Sequence, residues 1–239
     1  MMVIIVFLIM IVLMVLPVYI LGKYVYNSDI NNIKIDVGTT NMVIKYGDTF
    51  SITAENVSKE FKIKEEGNTL IIKEKNITIF GDNKSSHTTI TIPNDLNNLS
   101  IDIGAGKLEL SDITSNNFSL NQGAGKVVIT NLISNNTTID GGAGELHITS
   151  SKLQNLDLDL GAGKCYYNGI LLGNNKIDQG VGELILDLQN DDYKFKVEKG
   201  LGSITVNGNS YSEDFEVGEG TNIIDIDGGV GSIIINTNK

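Results

Sequence analysis

The chain has 239 residues and a formal charge of −11, built from 29 acidic residues and 18 lysines with no arginine or tryptophan. Arginine is the residue that grips phosphate in two-point fashion, so a nucleic-acid role is disfavoured, as is binding of the body to an anionic membrane surface. A single cysteine excludes an internal disulfide.

The run from Val3 to Leu21 carries no charge. As a helix it reaches ~30 Å, the thickness of a bilayer core, and it lacks the basic start and small-residue cleavage site of a signal peptide. Residues 1–22 are therefore expected to be a single uncleaved transmembrane helix, and residues 23–32 a short polar stalk. Lys23, directly after the run, is one weak vote for a cytoplasmic body under the positive-inside rule.

Residues 33–98 alternate apolar and polar, as in Ile33-Lys34-Ile35-Asp36-Val37 and Thr89-Ile90-Thr91-Ile92, with turn signals at Tyr46-Gly47-Asp48, Glu66-Gly67-Asn68 and Pro93-Asn94-Asp95. Period-two alternation between such turns predicts strands. The region is expected to begin with a degenerate coil at Val37-Gly38-Thr39 and then to cap the N-terminal end of a repetitive rod, since an open strand edge invites aggregation.

From residue 99 to 239 the chain repeats. Gly-Ala-Gly stands at 104–106, 123–125, 142–144 and 161–163, Gly180-Val181-Gly182 keeps the step, and Gly200-Leu201-Gly202 and Gly229-Val230-Gly231 continue it less regularly. Self-similarity at this period marks a solenoid. The fold class predicted is all-β, a parallel β-solenoid (β-helix) with coils of about 19 residues, whose successive coils stack ~4.8 Å apart.

Read in columns, Ile101, Leu120, Ile139, Leu158 and Ile177 form one aliphatic file. A second is Leu108, Val127, Leu146, Cys165 and Leu184, and a third Leu110, Ile129, Ile148, Tyr167 and Leu186. All three are expected to face inward. Ala105, Ala124, Ala143 and Ala162, enlarging to Val181, Leu201 and Val230, are expected to be a fourth inward file whose small size lets the wall turn.

Two polar files share the period. Asn98, Asn117, Asn136, Asn155 and Asn174 read as stacked amides bonding along the rod. Asp102, Asn121, Asp140, Asp159, Asp178, Glu198 and Asp227 each stand two residues before a glycine motif, and Asp36 fits the same file. Like charges ~5 Å apart repel by roughly 1 kcal/mol per pair in water. Either a cationic partner relieves that cost, or each Asp caps its own turn by accepting backbone N–H bonds. The Gly-x-Gly elements are followed by strands, which argues for corners over phosphate loops. The motif nearest a calcium-binding nonapeptide, Asp140 to Leu146, lacks its second Asp, so no metal site is expected.

Cys165 is expected to be a buried, inert thiol. His147 alternates with inward Leu146 and Ile148, so it points away from Cys165 and offers it no base. The outward file Glu109, Val128, His147, Tyr166 and Ile185 grows apolar along the chain and is a candidate contact surface. No catalytic residue and no cofactor is expected.

The anchor, the Gly-Asp turn at 47–48, the Thr-Ile-Thr-Ile-Pro run at 89–93 and the Ile-Asp-Ile-Gly-Ala-Gly-Lys-Leu-Glu-Leu-type units of 101–110 together resemble a bacterial β-strand-repeat family of unknown function labelled "putative adhesin". The likeness covers residues 33–239. It implies a β-solenoid at the cell envelope, with adhesion or envelope-stress roles, and brings no catalytic residues with it. The resulting expectation is a non-catalytic, single-pass envelope protein with an extracellular body. Its surface ladder of Asp102, Asp140, Asp159 and Asp178, with Tyr166, would contact a protein, a cationic peptide or a wall polymer, and no nucleic acid. A carbohydrate-active β-helix enzyme is the alternative, since stacked carboxylates match the ~5 Å separation of retaining glycosidases, though aromatic platforms are few. A spacer or assembly scaffold is the other alternative, its edge at Ser232-Ile233-Ile234-Ile235-Asn236 pairing with a second chain.

Overall fold

The computed structural model describes residues 21–25, 30–74, 86–93 and 95–238. The expected membrane helix lies outside these residues except for its last two positions. Among the described residues no helix is long and apolar enough to cross a membrane, and every regular element is a strand.

The N-terminal part holds β1 (Leu21–Val25), β2 (Asn32–Tyr46), β3 (Ser51–Glu55), β4 (Lys62–Glu66), β5 (Thr69–Glu74) and β6 (His87–Ile92). The middle is β7 (Leu96–Gln154), β8 (Leu156–Leu172) and β9 (Asn174–Leu188). The C-terminal part holds β10 (Tyr193–Glu198), β11 (Leu201–Val206), β12 (Asn209–Tyr211), β13 (Phe215–Val217), β14 (Asn222–Asp227) and β15 (Val230–Thr237). All belong to one 15-stranded sheet that winds on itself. Parallel partners in the middle are 19 residues apart, as in Leu146↔Cys165 and Leu158↔Ile177.

The three aliphatic files are the core. None of their fifteen side chains is more than 2% exposed, and burying each stabilises the fold by about 1.5–3 kcal/mol. The alanine file is different. Ala124, Ala143 and Ala162 are exposed, and Val181 and Leu201 are 57% and 77% exposed. The inward expectation for this file is therefore corrected, and the cause is local. Four residues, 104–107, separate inward Ile103 from inward Leu108, so alternation slips at the corner; Ala105 is half-buried there, and its counterparts in the following coils are exposed.

The flanking glycines make that corner. Gly125 has φ 115°, and a Cβ on it would strike the carbonyl oxygen of Gly106 in the coil below. A Cβ on Gly123 would likewise strike the carbonyl of Gly104. A second bend uses residues that tolerate the left-handed region, Asp112 (φ 58°), Asn131 (φ 56°) and Ser150 (φ 54°), with the Asn131 amide donating to the Asp112 carboxylate at 2.8 Å.

At both ends the coil order departs from chain order. β9 does not carry β10 and β11. It pairs with β14 (Ile177↔Ile226) and β15 (Leu186↔Ile235), and β10 and β11 lie outside those (Val197↔Ile226, Val206↔Ile235). At the opposite end β2 is sandwiched between β7 (Ile35↔Ile101) and the outer pair β5 and β6 (Ile35↔Ile72, Ile44↔Ile90). Each outer strand is then closed by an antiparallel one: β4 on β5, β3 on β6, β13 on β10 and β12 on β11. These closing strands blunt the two ends of the rod. Leu21–Val25, which spans the boundary between the expected helix and stalk, adds antiparallel to β3.

Candidate functional site

The strand before the Gly-x-Gly corner presents the acidic file on one flat side. Its members are true neighbours: Asp36↔Asp102, Asp140↔Asp159, Asp159↔Asp178, Asp178↔Asp227 and Asp227↔Glu198. Asp102, Asp140 and Asp159 are exposed strand residues. Among the described residues no side-chain hydrogen bond or ion pair reaches these three, so they do not cap their own turns. The strand is extended where they sit, and its N–H groups are spent on the ladder. Asp178 is the exception, accepting from the Lys176 ammonium at 2.6 Å, an interaction that raises the Lys176 pKa. Lys73 stands 4.0 Å from Asp36 at the N-terminal end of the file.

Two residues earlier on the same side runs a file whose charges alternate: Asp157↔Lys176, Lys176↔Asp225, Asp225↔Lys196 and Lys196↔Glu216. Reading the sequence at a step of 19 misses it, because the Lys176–Asp225 and Asp225–Lys196 pairs are 49 and 29 residues apart in the chain. Both files run into an open cleft of about 530 Å³ lined by Lys196, Glu198, Asp214, Phe215, Glu216 and Asp225.

The border of this side is the asparagine ladder. Asn98 donates its amide to the Asn32 Oδ1 at 2.5 Å, Asn117 to Asn98 at 2.8 Å, Asn136 to Asn117 at 3.0 Å and Asn155 to Asn136 at 3.4 Å. It ends where the Asn174 backbone N–H donates to Asn155 Oδ1 at 3.3 Å. Its polar atoms are occupied along the rod, which makes it a structural spine.

Tyr166 is not brought to the acidic file. It lies beyond the corner, in register with His147 and Ile185, its ring centroid 6.2 Å from that of His147. The Asp187 carboxylate beside the Tyr166 hydroxyl, with partial burial, raises the Tyr166 pKa. His147 Nε2 is 3.7 Å from Glu145, whose carboxyl is held below its usual value by the Lys126 ammonium at 2.9 Å. With Lys164 also 3.2 Å from Glu183, this second side is charge-matched. Cys165 is buried, and burial pushes its thiol up to about 12. Among the described residues no three His, Cys, Asp or Glu side chains are grouped to hold a metal ion.

A family model described as Toastrack DUF4097 matches residues 30–222. The crystal structure of a "putative adhesin" from Bacteroides fragilis NCTC 9343 superposes with a TM-score of 0.62 at 17% identity, over 90% of this chain and 95% of that one. A "putative cell adhesion protein" from Clostridium sporogenes ATCC 15579 gives 0.43 at 18% identity, over 91% and 98%. A "putative lipid binding protein" from Parabacteroides distasonis ATCC 8503 gives 0.33 at 16% identity, over 91% and 96%. No curated protein matches the chain. At such identities a likeness speaks to fold alone, and here the Bacteroides fragilis structure carries it.

Proposed function

Because the chain belongs to the Toastrack DUF4097 family, we propose that it is a non-catalytic binding or adhesion module of the cell envelope, holding a cationic partner against its acidic side. The observation that carries this reading is the exposed Asp102, Asp140 and Asp159, the first stacked on Asp36 and the other two on each other with Asn121 between the two pairs, which no side chain among the described residues neutralises. Each stacked pair costs roughly 1 kcal/mol in water-like surroundings, and ammonium groups spaced along an extended peptide or an amine-bearing wall polymer remove that cost. Steering toward such a partner weakens as salt rises. The uncharged run that precedes β1 would tether the rod as a single membrane span with the body outside the cell, Leu21 and Gly22 of the expected helix being part of β1 instead.

The test compares the wild-type chain with Asp102→Asn/Asp140→Asn/Asp159→Asn for binding of an oligolysine peptide and of purified wall polymer. Binding that drops about tenfold or more, while the variant melts no lower than wild type because repulsion has been relieved, supports the reading. Unchanged binding of both probes rejects it, and loss of one alone says which chemistry is held. Protease treatment of intact cells tests the tether independently. A body that survives until lysis lies on the cytoplasmic side.

A further inference from the structure

The C-terminal end of the rod is a slot. Its walls are β9 on one side and β10 with β11 on the other, and its filling is β14 with β15, in parallel register with both walls. Recognition inside it is specific. Asp225 sits between Lys176 and Lys196. The Asn222 Oδ1 accepts from the Gly173 N–H at 2.9 Å, and the Asn175 amide donates to the Ile223 carbonyl at 3.0 Å. Asn236 donates to the Asp187 carboxylate at 2.7 Å. The entrance is latched by Asp192, which accepts from the Thr221 N–H at 2.8 Å and the Thr221 hydroxyl at 2.6 Å.

The slot cannot close well without its filling. β10 and β11 follow β9 at nearly the same step as the other repeats, so they could drop onto β9 directly. That would set Lys196 on Lys176, like charge on like charge, where Asp225 now separates them. The outer layer is also lightly closed: β12 and β13 have three residues each, against five each for β3 and β4. The filling is joined to the outer layer by residues 218–221, which include Gly218 at φ 92° and Gly220. An opened end therefore keeps a slot whose best occupant is a 222–237 segment, and the contacts are the same whichever molecule supplies it.

We propose that residues 222–237 exchange between two copies of this chain, joining two rods tip to tip with each penultimate layer supplied by the partner. The inference stands apart from the identity of any ligand on the acidic side. It gives a closed two-fold assembly, the form that exchange of an identical element takes.

The test uses Val181 and Val230, which are in-register neighbours, both exposed at the corner. Parallel neighbours at that spacing fall within disulfide reach, and the native Cys165 is buried. Full-length Val181→Cys and Val230→Cys chains carrying different tags are mixed in detergent, warmed briefly below the unfolding transition, cooled and oxidised. A disulfide-linked heterodimer that exceeds either homodimer and grows with concentration is expected. Mixed single variants that stay unlinked, while the double variant closes its disulfide within one chain, overturn the proposal. Mass measurement of the unmodified chain after the same treatment is the second reading. A dimer fraction that increases on deleting Glu219 and Gly220 supports exchange, and a monomer at every concentration rejects it.

Discussion

A single methyl group should distinguish the two kinds of position at the corner. Gly125→Ala places a Cβ against the Gly106 carbonyl and holds an L-residue at φ 115°, so a loss of about 1–3 kcal/mol or more is expected in thermal unfolding. Ala124→Val, one residue away and exposed, should shift stability by no more than about 0.5 kcal/mol. A large loss at both positions would mean that the corner is packed against something. The columns of glycine and alanine were legible in the sequence; the facing of the alanines was not, because period-two reasoning fails where the backbone takes a left-handed step. Cys165 was legible for the opposite reason, lying in mid-strand where alternation holds. With its thiol raised to about 12, it should resist maleimide in the folded chain and label only as the core unfolds.

Between elements, charge decides order. Asp157, Lys176, Asp225, Lys196 and Glu216 alternate along the rod only because β14 lies between β9 and β10. Asp225→Lys would stack three ammonium groups, adding two like-charge contacts of roughly 1 kcal/mol each at low salt. Its melting temperature should fall in dilute buffer and recover in about 1 M salt, where the screening length shrinks to ~3 Å; a salt-independent loss would point to packing instead. The Asp192 latch adds a pH dependence. Hydrogen bonds from Thr221 lower the Asp192 pKa, so its contribution is complete above the usual Asp range and fades as pH falls through the lowered value. Protection factors for amide exchange at residues 219–224 should therefore fall as pH drops through the lowered Asp192 value, and Asp192→Asn should remove that pH dependence. The middle of the acidic file was readable because Asp102, Asp140, Asp159 and Asp178 fall on multiples of one step, while the order of Asp227 and Glu198 was not. The alternating file was hidden, since its partners meet only through the interleaved order.

At the scale of the whole rod, the repeat period was enough to read an all-β solenoid, its aliphatic core and its amide spine. It did not show the order of layers at the ends, because β9, β10 and β14 all alternate apolar and polar, and what separates them, the Lys176, Asp225 and Lys196 charges and the Asn222 and Asn175 contacts, is visible only once they are paired. In an ordinary solenoid, cutting off the last repeat removes one interface and leaves the rest standing. Here, removing residues 222–239 takes out an inner layer. Hydrogen exchange should show residues 193–217 losing protection with it while residues 96–172 keep theirs. Retained protection across 193–206 would show that the outer layer had settled onto β9 despite its charges.

The interleaving also sets a timetable for synthesis. Residues 193–206 leave the ribosome before residues 222–237, the layer they must cover, so the outer layer has no underlying surface when it appears. At about 5–20 residues per second, the 31 residues from Val206 to Thr237 take about 2–6 s to emerge. For that interval the nascent rod carries an open parallel edge at β9, beside an outer layer with no seat. At the other end the inner layer, β2, is made first and waits for partners on both sides. Growth therefore begins and finishes from within each cap, and the moment of greatest exposure to neighbouring nascent chains falls just before the last coil slides home.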